Sequence, residues 1–265
     1  MRIALISLDQ VWKDKKSNFS RCDYFVRHAA KCDCDLIIFP EMTLTGYVME
    51  MTDIAEPMSA SDTLEWFADL AMDIGIDIIF GACLIDPEKD RPSNRLCFAT
   101  SGKGSRAVYA KMHPFSYAGE DLVMDAGDSL AVIESGNFRL GCAICYDLRF
   151  PEPFSIMSPD CDALVVIANW PERRVAHWRA LLIARAIENQ CFVLGVNRIG
   201  VDGNGLHYEK STLVVSPDGS LIYPEETGQE MDVYSIDPEE VKRYRATFPT
   251  VRDKRFDLYR RFLEG

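Results

Sequence analysis

The chain is short of positive charge, short of histidine and without any long uncharged apolar run. Lys and Arg number 29 against 41 Asp and Glu over 265 residues, a net charge of −12. Such a balance repels the phosphate backbone of nucleic acid and anionic membrane surfaces, so neither is expected as a partner. No uncharged apolar stretch approaches the roughly 18 residues needed to cross a bilayer. The opening MRIALISLDQ has one basic residue, breaks at Asp9 and lacks a small-residue cleavage site, which argues against a secretory leader. Repeats, low-complexity tracts and composition shifts that would mark a linker are also missing. Cysteine is plentiful, but nine is an odd count spread along the chain, which reads as reduced thiols in a cytoplasmic compartment rather than a disulfide framework.

What is present is an α/β rhythm, in a chain long enough to bury a large core. RIALISL precedes a helix expected from about Phe19 to Ala30, with Phe19, Cys22, Phe25, Val26 and Ala29 on one face, and LIIF follows at 36–39. A helix is expected from Ser61, as N-cap, to Ile74, with Gly75 as its stop, before the strand-like IDIIFGACLI. Further β-like runs occupy 95–100, 106–110, 130–134, 138–144, 163–168 and CFVLGV; a short helix follows Pro151 and a long one runs from about Arg173 to Asn189. TLVVSPDGSLIY reads as a hairpin around Pro217, Asp218 and Gly219. Several apolar runs stop abruptly at a polar residue: LIIFP at Glu41, RAVYA at Lys111, RLGCAI at Cys145 and ALVVIA at Asn169. In open α/β sheets the crevice beyond the carboxyl ends of strands is where sites form, so these side chains could converge.

Cys145 has three readings. A lone cysteine at a strand end is commonly a small buried hydrophobe. Asp147 and Arg149 just beyond it weigh against that, since their placement costs stability unless the strand mouth opens into a polar pocket. Cys142 and Cys145 spell C-x-x-C, but FRLGCAI looks extended, and residues three apart on a strand face opposite sides of the sheet. No second ligand pair stands at zinc spacing, so no metal is expected. The third reading is a covalent nucleophile, which needs a base and something to hold negative charge. Of the four histidines, His28 lies in an early helix and neither His177 nor His207 sits at a strand end; Glu41 and Lys111 are better placed.

The segments FPEMTLTGY, YAKMHPF and GCAICYDLRFPE, in that order, resemble the Glu, Lys and Cys motifs of the nitrilase, or carbon–nitrogen hydrolase, superfamily. The likeness covers nearly the whole chain, since HWRALLIARAIENQ and HYEKSTLVVSPDG also resemble downstream segments of that family. It implies a four-layer α-β-β-α sandwich forming a single domain over 1–265, with the tail from about 245 to 265 wrapping the surface or a partner subunit. It implies Cys145 as thiol nucleophile, Glu41 as general base, Lys111 as charge-stabilising cation and Glu120 as a second carboxylate orienting Lys111 or the substrate. No cofactor is implied, and a homodimer or a higher assembly built from it is. The backbone N–H of Tyr146 is a candidate partner for an oxyanion.

Tyr146-Asp147 after the cysteine, where true nitrilases carry Trp-Glu, favours an amide over a nitrile. The group IANWPERRVAHWRALLIARAIENQ with NRIGVDGNGLHY is similar to the bacterial omega-amidase branch, which implies the omega-amide of a 2-oxo dicarboxylic acid, 2-oxoglutaramate or 2-oxosuccinamate, as the small-molecule substrate. Deaminated-glutathione amidase and N-carbamoyl amino acid amidohydrolase are the neighbouring readings, and a catalytically idle binding protein on the same fold is the reading of another class. Pro114 and Lys210 depart from the pattern and are expected near pocket walls. Asn169, Trp170, Arg173 and Arg174 are candidate substrate-binding residues, the arginines because a guanidinium grips a carboxylate through two parallel hydrogen bonds. Trp170 and Tyr47 read first as packing aromatics, Arg185 and Glu188 as a structural pair, and Asp147 and Arg149 as braces of the cysteine loop.

Overall fold

The computed structural model describes residues 1–51 and 54–263; the last two positions of the expected tail, 264 and 265, lie outside the described residues. Two sheets form the centre. The first runs, edge to edge, through Glu226–Thr227, Met231–Ser235, Arg2–Ile6, Leu36–Ile38, Asp77–Ile85, Pro92–Thr100 and Gly104–Ala110, with the short strand Glu56–Pro57 paired to Asp77–Ile85. The second runs through Leu221–Ile222, Leu213–Val215, Phe192–Asn197, Ala163–Ala168, Phe138–Ile144 and Val132–Ser135. The innermost strands of each sheet are parallel, with Ile3 opposite Leu36, Leu36 opposite Asp77, Ile144 opposite Ile167 and Asn197 opposite Ala168. Strands buried on both faces read as unbroken apolar runs, and ALVVIA is one, all six residues being buried.

Side-chain alternation assigns the layers. Ala4, Ile6, Ile37, Phe39, Ile78 and Phe80 pack under the helices Lys15–Lys31 and Asp62–Ile74, while their alternates Ile3, Leu5, Leu36, Ile38 and Ile79 face the second sheet. The helix Val175–Asn189 covers the far side of that sheet through Trp178, Leu182 and Ala186. The result is the four-layer α-β-β-α sandwich that the motif resemblance implied. Ser61 caps its helix, accepting from the Leu64 N–H at 3.1 Å, and Gly75 ends it in the left-handed region at φ +78°, as expected. The first helix begins at Lys15 rather than Phe19, because Asp14 accepts from both the N–H and the hydroxyl of Ser17. Its polar first turn has no apolar periodicity to announce it.

Among the described residues no helix is long and apolar enough to cross a membrane. All nine cysteines are free. Beyond Arg245 and Lys254, which bond the Gln190 carbonyl and the Asn189 side chain, the helix Phe256–Leu263 buries none of its residues and leaves Phe256, Tyr259, Phe262 and Leu263 open.

Candidate active site

Four strand ends point to one place. Glu41 lies in the turn after Leu36–Ile38, and Lys111, Cys145 and Asn169 each follow directly on the last residue of a strand. The Glu41 turn presses so closely on the neighbouring strand that a Cβ at Gly81 would sit 2.3 Å from the Met42 nitrogen; only glycine fits there. Gln10, buried, donates its side-chain amide to the carbonyls of Glu41, Met42 and Thr43 and sets the turn.

Glu41, Lys111 and Glu120 are at most 1% exposed and bond one another. Lys111 Nζ donates to Glu41 Oε1 at 3.0 Å and to Glu120 Oε2 at 2.8 Å. Asn94 Nδ2 donates to Glu41 Oε1 at 2.7 Å and to Glu120 Oε1 at 3.1 Å, closing a ring of two carboxyl groups and two donors. Asn169 adds a backbone N–H to Glu41 Oε2 at 2.8 Å. Glu120 Oε2 also receives the Tyr47 hydroxyl at 2.9 Å and the Phe115 N–H at 2.6 Å. Burial acts to push the Lys111 pKa down, but the adjoining carboxyl groups of Glu120 and Glu41 outweigh it and hold it well above the ordinary lysine value. Burial acts to raise Glu120, and the Lys111 ammonium with its hydrogen bonds leaves it below the usual carboxylate range.

Cys145 sits at φ +47°, a left-handed conformation that a side-chain-bearing residue rarely adopts and that turns the thiol out of the strand line. The turn is held by Asp147, fully buried, which accepts from the Ile144 N–H at 3.0 Å, the Tyr109 hydroxyl at 2.9 Å and the His113 N–H at 2.9 Å, and lies 2.8 Å from His113 Nδ1. Arg185 pairs with Glu188 at 2.9 Å as expected, and its other nitrogen donates to the Leu148 carbonyl inside the same turn. Burial first, then the carboxyl groups of Glu41 and Glu120, push the Cys145 thiol well above its ordinary pKa; Lys111 opposes them. The resting group is therefore the neutral thiol, and it lies 3.9 Å from the Asn169 carbonyl. Cys142, three residues earlier, is buried in the core.

A pocket of about 650 Å³, counted out to its open mouth, rises from this floor. All the expected binding residues border it: Tyr146, Asn169, Trp170, Arg173 and Arg174. Arg174 is half-buried with its guanidinium 5.5 Å from the Phe115 ring centre, and Arg173 is exposed at the rim. Three expectations need correction. Tyr47, expected to pack, also lines the pocket with its hydroxyl bonded to Glu120, while Trp170 lines it as one of the expected binding residues. Arg149 does not brace the turn but lies over the Trp170 ring at 4.8 Å and lines the pocket. Pro114 stands next to the lining Phe115, as expected, but Lys210 is not a lining residue and instead pairs with Asp232 at 2.7 Å. Sequence reasoning missed Asn94 and Gln10. The available signal for Asn94 was an asparagine inside the strand run SNRLCFAT, where an amide is disfavoured unless a buried partner awaits it.

The chain belongs to the carbon–nitrogen hydrolase family, whose model matches residues 2–246 and so takes in Glu41, Lys111, Glu120 and Cys145. It is 34% identical to the omega-amidase YafV of Escherichia coli strain K12 over 254 residues, 96% of each chain. It is 29% identical to the 2-oxoglutaramate amidase of Bacillus subtilis over 260 residues, 97% of this chain and 98% of that one. Among solved structures it resembles XC1258 of Xanthomonas campestris, a CN-hydrolase superfamily protein, with a TM-score of 0.88 and 32% identity, covering 96% of this chain and 97% of that one. The protein is an amide-cleaving hydrolase.

Proposed function

We propose that the protein hydrolyses the terminal amide of a 2-oxo dicarboxylic acid, 2-oxoglutaramate or 2-oxosuccinamate, through a thioester on Cys145. The observation that carries this reading is a contrast of charge: the Cys145 thiol and Lys111 ammonium line the pocket with the Glu41 and Glu120 carboxyl groups bonded to Lys111 behind them, and Arg149, Arg173 and Arg174 border the pocket without an ion-pair partner among the described residues. In a chain of net charge −12, such guanidinium groups are what an anionic substrate needs to enter. Relatives named for omega-amidase and 2-oxoglutaramate amidase activity support it.

The chemistry follows from the floor. Cys145 Sγ attacks the amide carbon while Glu41 takes the thiol proton. The carbonyl electrons move to oxygen, and the Lys111 ammonium and the Tyr146 N–H donate hydrogen bonds to the resulting oxyanion; one such donor is worth about 3 kcal/mol in the transition state. Collapse breaks the C–N bond, and Glu41 returns the proton to the leaving ammonia. Glu41 then activates water against the thioester, and the thiol is restored as the carboxylate leaves. Glu120 holds Lys111 in place throughout.

We read residues 1–265 as one catalytic domain working in the cytoplasm, where nine free thiols remain reduced. The open apolar side of Phe256–Leu263 suits a homodimer, the tail packing on a second copy. A stable monomer by light scattering at micromolar concentration overturns the dimer. The substrate is tested by measuring ammonia release over 2-oxo acid amides, neutral amides of similar size, N-carbamoyl amino acids and nitriles. Preference for the 2-oxo acid amides is expected, and preference for any other group overturns the assignment.

A further inference from the structure

We propose that Asn94 is a positioning residue for proton transfer: its side-chain amide keeps Glu41 and Glu120 as two separate carboxylates around the single Lys111 ammonium and directs the Cys145 proton to Glu41 Oε2. The inference rests on the reading of Glu41 as the base.

Two carboxyl groups bonded to one cation in a buried site ordinarily tend to share a proton, because like charges at short range disfavour double ionisation. A base that already holds such a shared proton cannot take another from a thiol. Asn94 works against this sharing. Its NH₂ group can only donate, and it donates to Oε1 of both carboxyl groups, at 2.7 and 3.1 Å. A proton placed on either of those oxygens toward Asn94 would meet a second donor and lose the bond.

The arrangement of donors also selects an oxygen. Glu41 Oε1 receives Lys111 Nζ and Asn94 Nδ2, which use its two acceptor directions; Oε2 receives only the Asn169 N–H and keeps one free. Asn169, whose N–H marks Oε2, also has its carbonyl 3.9 Å from the Cys145 thiol, so one residue touches both that oxygen and the nucleophile. Asn94 is fixed by its backbone as well, its carbonyl accepting the Lys111 N–H at 2.8 Å, so one residue ties all three ionisable groups. Its own Oδ1 is buried without a partner among the described residues, so the side chain's hydrogen bonds there are the two to the carboxyl groups, which only its NH₂ end can supply. The other titratable groups near it are Tyr47, which bonds Glu120, Cys145 beyond Glu41, and Cys83, opposite it in the strand ladder and pushed up to about 12 by burial.

The test compares wild type with N94L, which keeps the side chain's approximate shape but removes the donor, and N94D, which puts a third carboxyl group in its place. The measurements are kcat and KM across pH on the amide turned over best, and the pH dependence of Cys145 alkylation by iodoacetamide. N94L is expected to lose about 10- to 100-fold in kcat, the worth of a hydrogen bond to a charged group, with KM changed by less than about twofold. The acid limb of the kcat/KM profile is expected to move to higher pH by about one unit, and further in N94D. If N94L and N94D do not fold, N94S, which retains one short donor, is read in their place and is expected to show a smaller shift of the same sign. An acid limb at the wild-type position in a folded variant, or a loss carried by KM alone, overturns the inference. E41Q separates the two levels: near-wild-type turnover in E41Q overturns the base assignment, whereas an inactive E41Q with an unmoved N94L profile overturns the role of Asn94 alone.

Discussion

The floor and the rim of the pocket are built on opposite terms. At the floor Glu41, Lys111 and Glu120 are almost fully buried, and each oxygen of the two carboxyl groups has at least one donor in place. At the rim Arg149 and Arg174 rest on aromatic faces and Arg173 stands exposed, with no carboxylate paired to any of the three among the described residues. Buried charge must be matched within the fold, because an unmatched ion there costs several kcal/mol. Exposed or half-exposed guanidinium groups are hydrated and can wait for a ligand. The floor is therefore organised before substrate arrives, as transition-state stabilisation requires, and under the proposed function the substrate supplies the anion that the rim lacks.

The contrast is broken most forcefully at the floor. Cys145→Ala is expected to abolish turnover and covalent intermediate by mass spectrometry while the thermal transition stays in place. Glu41→Gln and Lys111→Met are each expected to lower kcat by about a thousandfold or more, with strongly non-additive losses in the double variant. Wild-type-like kcat in either single variant ends the assignment.

A middle-sized effect is expected at the rim. Arg173→Met and Arg174→Met should raise KM about tenfold for an anionic amide at whichever position grips the carboxylate, and leave a neutral amide of equal size unchanged. Equal effects on both substrates would place carboxylate recognition elsewhere.

The thiol supplies a smaller, pH-resolved effect. Because its folded pKa is raised above the ordinary value, Cys145 is protonated at neutral pH, and its alkylation by iodoacetamide should keep accelerating as pH rises beyond 9.0. Lys111 is the charged group that acts to lower it, beside a hydrogen bond at the Asn169 backbone, so Lys111→Met should slow alkylation at any given pH. A plateau below pH 8 in wild type contradicts this. The smallest effect belongs to Glu239→Ala: it pairs with Lys242 three residues on, both side chains are exposed, and the denaturant midpoint and the activity should both stay at wild-type values.

Much of this was legible before the structure. The strand at 163–168, the Ser61 cap, the Gly75 stop and the polar residue closing each apolar run were local signals, and local signals survive in a sequence. The resemblance to known motifs then selected Glu41, Lys111, Glu120 and Cys145 among many charged and thiol groups. Tyr47 was read as packing because an aromatic side chain advertises buried area and not the hydroxyl at its far end. Arg149 was misplaced for a related reason: its neighbour Asp147 turns inward to hold the turn, and chain adjacency does not reveal that the next charged residue leans out over Trp170.

Local sequence was enough to decide that the long apolar runs become strands, though not Met231–Ser235 or the short edge strands, and which polar residue closes each run, since these depend on periods of two or 3.6 residues and on caps within one turn. It could not decide which donors meet which oxygen of Glu41. Lys111 reaches it from 70 residues away, Asn94 from 53 and Asn169 from 128. Hydrogen bonds distinguish differences of a few tenths of an ångström, and those distances are set only when both sheets have packed and their strand ends stand side by side.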